Sequence, residues 1–265
     1  MDGTLSPVKA RRFPTLRAIT ALLLREMATT YGRSPGGYAW AVLEPVAALA
    51  VLSVAFSIAF ASPALGSNFP LFYATGYLPF MMYSQLSAKI GQAIRFSKPL
   101  LFYPAATYSD ALFARWILGV LTHLSIFVIV LTGIVQIFGL TPILNIPALV
   151  NAVAMAALLA LGVGTLNCFL SSMFPVWEQV WVIVNRPFFI ISGVFFLFEN
   201  MPEPVRALLW FNPLAHVIGE MRRAVYASYD GAFVSPVYVY SVALGSLILG
   251  LVFLNRYHRV ILNER

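Results

Sequence analysis

The chain alternates between long apolar blocks and short segments that contain charged residues, proline or glycine. Each block has roughly 19 or more residues, about the length that crosses the hydrocarbon core of a bilayer as a helix. The pattern therefore predicts an all-α integral membrane protein with six transmembrane helices. The six predicted spans cover residues 38–61, 70–88, 116–138, 146–173, 176–198 and 236–254.

Three segments outside these blocks have patterns of their own. Residues 16–29 place apolar side chains on one helical face and basic or polar ones on another, which predicts an N-terminal helix in the membrane interface. Residues 89–115 are basic and interrupted by proline, so they predict at most a short amphipathic element near position 100. Residues 199–235 are semi-polar with three prolines and predict two short helices on or partly in the membrane, re-entering without crossing before the last span.

Composition agrees with one membrane domain over residues 1–265. The chain is 60% hydrophobic and 10% charged, with a mean hydropathy of +0.83, and leaves little room for a separate soluble domain. The net charge of +7 arises from basic residues that flank the apolar blocks, which favours orientation in a membrane over nucleic-acid binding. Most of the lysines and arginines fall in segments 1–37, 89–115 and 255–265, which places both termini in the cytoplasm.

Motifs for catalysis and for cofactors are missing from the sequence. It contains no phosphate-binding loop, HExxH, CxxC or GxSxG pattern. Cys168 has no second cysteine to pair with and is expected to be a small packing residue, while His123 is expected to contact another helix. We expect no cofactor, no metal and no catalytic residue. Ion-coupled transport has little support, because three of the spans have no acidic residue in their interior.

Two charges fall inside predicted spans. Glu44 precedes Pro45 in the first span, and it either pairs with a nearby arginine at the membrane interface or lines a path. Arg186 lies near the middle of the fifth apolar block, where an unpaired charge costs several kcal/mol. It either belongs to a buried pair, snorkels to the interface, or contacts an anionic substrate. Trp40 fits an interfacial belt, and the rings of Phe188, Phe189 and Phe195 either pack against helices or lipid or face a sugar.

Three stretches together resemble a known family. Residues 21–45, ALLLREMATTYGRSPGGYAWAVLEP, are similar to the N-terminal motif of ABC-2 type exporter permeases. Residues 185–202, NRPFFIISGVFFLFENMP, and residues 211–226, FNPLAHVIGEMRRAVY, are similar to the family's fifth-span motif and to its helix before the last span. The pattern is most similar to the inner-membrane subunit of capsule-polysaccharide exporters. Exporters of teichoic acid and O-antigen share much of it.

The resemblance implies that, in the bacterial inner membrane, this chain supplies the transport path and a separate chain hydrolyses ATP. It implies a homodimer of this chain, two copies of a separate ATP-binding subunit, and an anionic or lipid-linked polysaccharide as the cargo. Capsule exporters generally also have periplasmic partners. The path would run between subunits, with substrate-path candidates Arg186, Phe188, Phe189, Phe195, Trp40 and Glu44. The ATPase would dock at the interface helix and the 92–109 segment, with candidates Arg25, Glu26, Arg33, Arg95 and Lys98.

Two other functions remain open at the level of sequence. The first is an ABC-2 subunit that exports a drug or a lipid, which would not need a continuous wet groove. The second is a membrane-embedded enzyme of lipid-linked sugar metabolism, which would act on its substrate without a partner chain.

Overall fold

The computed structural model describes residues 14–30, 37–101 and 107–263, and it is all-helical within them. Ten α-helices follow one another in the described residues, together with one short 3₁₀ turn at Phe198–Asn200. They are α1 (Pro14–Thr30), α2 (Tyr38–Ala59), α3 (Phe69–Gly91), α4 (Ala93–Leu101), α5 (Tyr108–Ile137), α6 (Ile146–Met173), α7 (Trp177–Ile191), α8 (Glu203–Leu209), α9 (Pro213–Val225) and α10 (Pro236–Asn263).

The starts of four helices are encoded by side chains that cap them. Asn68, Asn145 and Asn212 each accept a hydrogen bond from a backbone N–H in the first turn of α3, α6 and α9. Each of these helices also has proline at its first or second position, where the missing N–H costs nothing. Thr107 and Asp110 form a reciprocal capping box at the start of α5.

Helix α6 is the centre of the bundle and packs against α3, α9 and α10. Small residues allow the close approach. A Cβ at Gly250 of α10 would lie 2.7 Å from the backbone nitrogen of Leu166, and one at Gly164 would lie 2.9 Å from the carbonyl oxygen of Ser87. In a membrane, where apolar burial adds little, such small-residue contacts allow helices to pack through van der Waals interactions.

The bundle has two ends. At one, called here the α4 end, α4 lies beside the end of α6, the start of α7 and the last turns of α10. At the other, the α9 end, the α5–α6 connection meets α9 through the N–H of Asn145, which donates to the carbonyl oxygen of Ala224. Eleven of the 13 residues of α9 are buried, and Met221 lines the same small cavity as Leu78 and His123. Helix α9 is therefore inserted against the spans.

Among the described residues, four helices are long and apolar enough to cross a bilayer: α2, α5, α6 and α10. Helix α3 has 23 residues but is more polar, and 16 of them are buried, so protein covers much of its surface. Helix α7 has only 15 residues, about 22 Å, against roughly 30 Å of hydrocarbon. The exact number of six spans therefore stays a prediction, with α3 and α7 as the two additional candidates.

The bounds of the helices differ from the predicted spans in three places. Helix α5 begins eight residues before position 116, and α10 continues to Asn263 through most of the predicted tail. The fifth block does not stay helical to residue 198, because α7 ends at Ile191 and Gly193 has a φ of 85°. That backbone angle suits glycine and turns the chain back. The short amphipathic helix near position 100 and the two short helices within 199–235 are present as α4, α8 and α9.

Candidate functional site

Five polar residues from three helices lie at one level of the bundle and form what we call the polar belt. The Nε2 of Gln85 donates to Oε1 of Glu44 at 3.3 Å, joining α3 to α2. One residue earlier on α3, the hydroxyl oxygen of Ser84 accepts from Nδ2 of Asn185 at 2.9 Å, joining α3 to α7. Arg186 follows Asn185 directly. The predicted residues Glu44 and Arg186 are thus brought to the same level by adjacent residues of α3.

The belt is incompletely satisfied within one chain. Glu44 and Arg186 are both exposed, and neither forms an ion pair in the part of the chain that the structure describes. The Oδ1 atom of Asn185 is buried without a hydrogen-bond partner among the described residues. Polar groups at membrane depth normally face a bundle interior or a watery cavity. The belt therefore marks a face that a second protein surface, water or a substrate covers.

A series of aromatic rings in contact continues from the belt toward the α9 end, and we call it the aromatic ladder. Phe189 lies between Phe80, with ring centroids 5.0 Å apart, and Phe195, also at 5.0 Å. Phe195 then stacks on Phe56 of α2 at 5.6 Å, and Phe56 reaches Tyr73 at 5.1 Å. Such offset and edge contacts are favourable between aromatic rings. The ladder joins α2, α3 and α7 and places two of the predicted rings, Phe189 and Phe195, on one surface.

The two remaining predicted path residues lie away from the ladder. Phe188 is half-buried and packs against the main hydrophobic core. Trp40, in the first turn of α2, is 58% exposed. Its roles in an interfacial belt and in the substrate path both stay predictions. The structure therefore separates the path candidates into the belt (Glu44, Arg186), the ladder (Phe189, Phe195) and two residues outside both.

The α4 end carries the residues predicted to dock an ATPase. Glu26 of α1 forms an ion pair of 3.1 Å with Arg115 of α5, and both side chains are largely buried. Arg115 also donates to the carbonyl oxygen of Lys89 at the end of α3. The guanidinium groups of Arg25 and Arg115 lie over the ring of Phe96 on α4, at 5.2 and 4.3 Å from its centroid. Glu26 and Arg25 thus hold α1 against α4 and α5 within this chain.

Arg95 and Lys98 lie on α4 at the edge of a groove of about 370 Å³ that is also lined by the end of α6, the start of α7 and the end of α10. Arg95 is exposed and pairs with Glu178 in the first turn of α7 at 3.1 Å. A carboxylate is favourable at that position because it faces the positive end of the helix dipole. Helix α4 is therefore linked directly to α7. Arg33, the fifth docking candidate, lies outside the described residues.

Arg222 is a further candidate functional residue, which the sequence pattern did not single out. It is 2% exposed, and its guanidinium donates to the carbonyl oxygens of Phe196 at 2.8 Å and Val194 at 3.3 Å. It also lies 4.5 Å from the ring centroid of Phe72. The sequence placed it only within one of the two short helices predicted for residues 199–235, and gave it no role of its own. The only local signal was its position on the amphipathic face of the helix that follows Pro213.

Asn212, the cap of α9, ties the same turn from the other side. Its Nδ2 donates to the carbonyl oxygen of Ile191 at 3.3 Å and to the hydroxyl of Ser192 at 3.1 Å. The Ser192 hydroxyl in turn donates to the carbonyl oxygen of Phe188. Backbone carbonyls at the end of a helix have no intrahelical partner, so these bonds satisfy them. The end of α7 is thereby fixed to both ends of α9.

No group of three or more histidine, cysteine or acidic side chains is arranged to hold a metal within the described ranges. Cys168 is fully buried, in agreement with the packing role predicted for it. The features present, a polar belt, a surface of rings and a link to an amphipathic helix, suit the movement of a polar molecule. They do not form a nucleophile–base pair.

Comparisons with known proteins agree with this interpretation. A family model for ABC-2 type transporters matches residues 17–226. The polysialic acid transport protein KpsM of Escherichia coli is 29% identical over 233 residues, 88% of this chain and 90% of that protein. The capsule polysaccharide export inner-membrane proteins CtrC of Neisseria meningitidis and BexB of Haemophilus influenzae are each 26% identical, over 92% of both chains. The family resemblance deduced from the three sequence motifs is confirmed.

Proposed function

The chain belongs to the ABC-2 type transporter family, and from that premise we propose that it is the permease subunit of an ATP-driven exporter of a capsular polysaccharide. KpsM is named for polysialic acid transport, and CtrC and BexB are named as inner-membrane proteins of capsule polysaccharide export; each aligns over about nine-tenths of its length. The chain is a multi-pass inner-membrane protein and a transport subunit. It moves its substrate without altering it.

The polar belt and the aromatic ladder are the observations that carry this proposal. A polysaccharide is polar along its whole length, so it needs hydrogen-bonding groups and ring faces through the bilayer. Glu44, Gln85 and Asn185 supply the polar groups at one level. Phe189 and Phe195 continue the same surface toward the α9 end. Sugar rings stack on aromatic faces through their C–H groups, and weak contacts of this kind allow sliding.

Arg186 is the residue proposed to contact acidic groups of the polysaccharide. It is exposed and forms no ion pair within the described chain, so its guanidinium is accessible to a carboxylate or phosphate, which it can bind in a bidentate geometry. We therefore expect Arg186→Ala to leave the complex assembled and to reduce surface delivery of an acidic polysaccharide about tenfold. Arg256→Ala, a substitution of an exposed arginine near the end of α10, is the control. Unchanged surface glycan in Arg186→Ala would remove Arg186 from the path.

Energy comes, in this proposal, from a separate ATP-binding subunit, because the sequence has no phosphate-binding loop. Two copies of that subunit would serve a dimer of this chain. The basic α4 end, with Arg95 and Lys98, would face the cytoplasm together with both termini, and α8 and α9 would lie on the outer side. Periplasmic export partners would meet the α9 end.

Purification from native membranes tests the class of machine. In mild detergent, we expect a stoichiometric ATPase chain to copurify, and ATP hydrolysis to be required for the appearance of glycan outside. Recovery of this chain alone, with turnover of a lipid-linked sugar in the absence of any partner, would instead support a membrane enzyme. Export of a drug or a lipid by vesicles that do not export glycan would support an ABC-2 subunit for a drug or a lipid. Export of O-antigen or teichoic acid would change only the identity of the cargo.

A further inference from the structure

Two opposite charges at the same level of the bundle lack an ion-pair partner among the residues that the structure describes. Glu44 on α2 is joined to Gln85, and Arg186 on α7 follows Asn185, which is joined to Ser84. Because Ser84 and Gln85 are neighbours on α3, the two charged residues lie at one depth on either side of it. Within the described chain neither Glu44 nor Arg186 is in an ion pair, although Lys89, one turn from Gln85, is near enough to interact electrostatically with Glu44.

Both residues lie inside the first and fifth spans that the sequence predicts. Glu44 is the seventh residue of the 22-residue helix α2, and Arg186 is the tenth residue of the 15-residue helix α7. Each lies about 9 to 14 Å along its helix from the α4 end, at a rise of about 1.5 Å per residue. A carboxylate and a guanidinium facing hydrocarbon at such positions are each unfavourable by several kcal/mol. Pairing them with each other removes much of that cost.

The same two helices have the least protein cover of any apolar helix in the described chain. None of the residues of α7 is buried. Only 17% of the apolar window of α2 is buried, compared with 50% for α6. The aromatic ladder contacts α2 at Phe56 and α7 at Phe189, whereas Glu44 and Arg186 stay exposed among the described residues.

These observations indicate what covers the exposed surfaces of α2 and α7. In a two-fold dimer, the same surface of both copies meets, so a residue of one copy contacts a different residue of the other, and the contact occurs twice. A surface that carries one acid and one base at equal depth is complementary to itself under such a rotation. We propose that Arg186 of one copy pairs with Glu44 of the second copy across the dimer interface, giving two ion pairs that close the path at the level of the polar belt.

This inference rests on the proposed function, because the path between copies is the one along which the polysaccharide moves. Each pair gives Arg186 a counter-ion while the path is empty. An acidic group of the polysaccharide then takes the place of Glu44 on the guanidinium. The carboxylate of Glu44 keeps its bond from Gln85. Arg186 thereby distinguishes an acidic chain from a neutral one, and the partner's Glu44 keeps the path shut to small ions.

Cross-linking tests the contact itself. Cys168, buried and unpaired, is first replaced by alanine, and Glu44→Cys and Arg186→Cys are then introduced into two chains that carry different tags. A short bismaleimide is used, since an arginine–glutamate pair separates its α-carbons by more than a disulfide can span. We expect a heterodimer that contains both tags. Val150→Cys with Ile248→Cys, at two positions about 60% exposed on α6 and α10, is the control and should give none.

Charge exchange tests what the contact does. Glu44→Arg and Arg186→Glu are each expected to reduce export about tenfold by placing like charges together, and Glu44→Arg with Arg186→Glu in one chain should restore much of it. The pairing is wrong if the double variant exports no more glycan than the worse single variant and the cysteine pair gives no cross-link. That outcome leaves the proposed function intact if the wild-type complex still hydrolyses ATP and exports glycan. If the wild-type complex neither hydrolyses ATP nor exports glycan, the proposed function itself is wrong.

Discussion

The guanidinium of Arg222 donates a 2.8 Å hydrogen bond to the carbonyl oxygen of Phe196. This contact joins α9 to the turn that follows α7. The turn contains Gly193 in a left-handed conformation and exposes carbonyl groups that no helix satisfies. A buried arginine with several donors is well suited to bind two of them at once. The chain after α7 is thus held by Arg222 in addition to Asn212, although none of the residues of α7 itself is buried.

We expect replacement of Arg222 to destabilise the protein strongly. In Arg222→Met, the carbonyl oxygens of Val194 and Phe196 lose their donor in a buried place, and each unsatisfied group costs about 1–3 kcal/mol. The midpoint of thermal denaturation in detergent should fall clearly. Arg256→Met is the control, because Arg256 is an exposed arginine near the end of α10 and forms no ion pair among the described residues. Equal denaturation midpoints for the two variants would contradict the role of Arg222.

Two glycines on α10 are expected to differ in their tolerance of alanine. A Cβ at Gly250 would lie 2.7 Å from the backbone nitrogen of Leu166, so Gly250→Ala must push α6 and α10 apart. A Cβ at Gly245 meets nothing within 4 Å. Gly245→Ala should therefore be neutral, or stabilising by up to about 1 kcal/mol, since alanine favours the helix. The folded yield of each variant, measured by size-exclusion chromatography, checks the difference. A Gly250→Ala variant as well folded as wild type would argue against the close α6–α10 contact.

The ion pair between Arg95 and Glu178 should matter for coupling more than for stability. An exposed pair contributes at most about 1 kcal/mol, so neither Arg95→Glu nor Glu178→Arg should change the melting temperature much. Both should lower the ATPase turnover of the complex if α4 transmits movement to α7. The double exchange distinguishes two roles for Arg95. It should restore turnover if Arg95 acts through Glu178, and it should fail to do so if Arg95 binds the ATPase directly.

Lys98→Glu tests docking apart from this ion pair. Lys98 lies on the same short helix and at the edge of the same groove as Arg95. Reversal of its charge should lower ATPase turnover by weakening the contact with the ATP-binding subunit. Normal turnover together with normal copurification of the ATPase would exclude Lys98 from the docking surface.

Asn185 is expected to affect export without affecting assembly. Asn185→Leu removes the bond to Ser84 and replaces a polar group of the path with an apolar one of similar size. The helix α7 is also held at both ends, by Trp177 bound to Asn167 and by Asn212 bound to Ile191, so it should remain in place. Surface glycan should decrease several-fold while the amount of purified complex stays constant. Val184→Leu, at an exposed apolar position of the same helix, is the control.

The sequence by itself determined the class of the protein and the approximate position of every helix. Apolar blocks about 20 residues long and caps such as Asn68 and Asn145 act over a few neighbouring residues, so a local pattern is enough to find them. The three family motifs are local as well. The sequence also selected Glu44 and Arg186, because a charge in an apolar block is visible without knowledge of the fold.

Only the tertiary structure decided which of these residues meet. Glu44 and Gln85 are 41 positions apart, and Asn185 and Ser84 are 101 apart, so their contacts depend on how α2, α3 and α7 are rotated against one another. The same holds for Glu26, which pairs with Arg115, and for Arg222, whose burial the predicted short helix did not reveal. Hydropathy reports how apolar a segment is. It does not report which face of the helix another helix covers, and that rotation decides whether a charge is paired, exposed or buried.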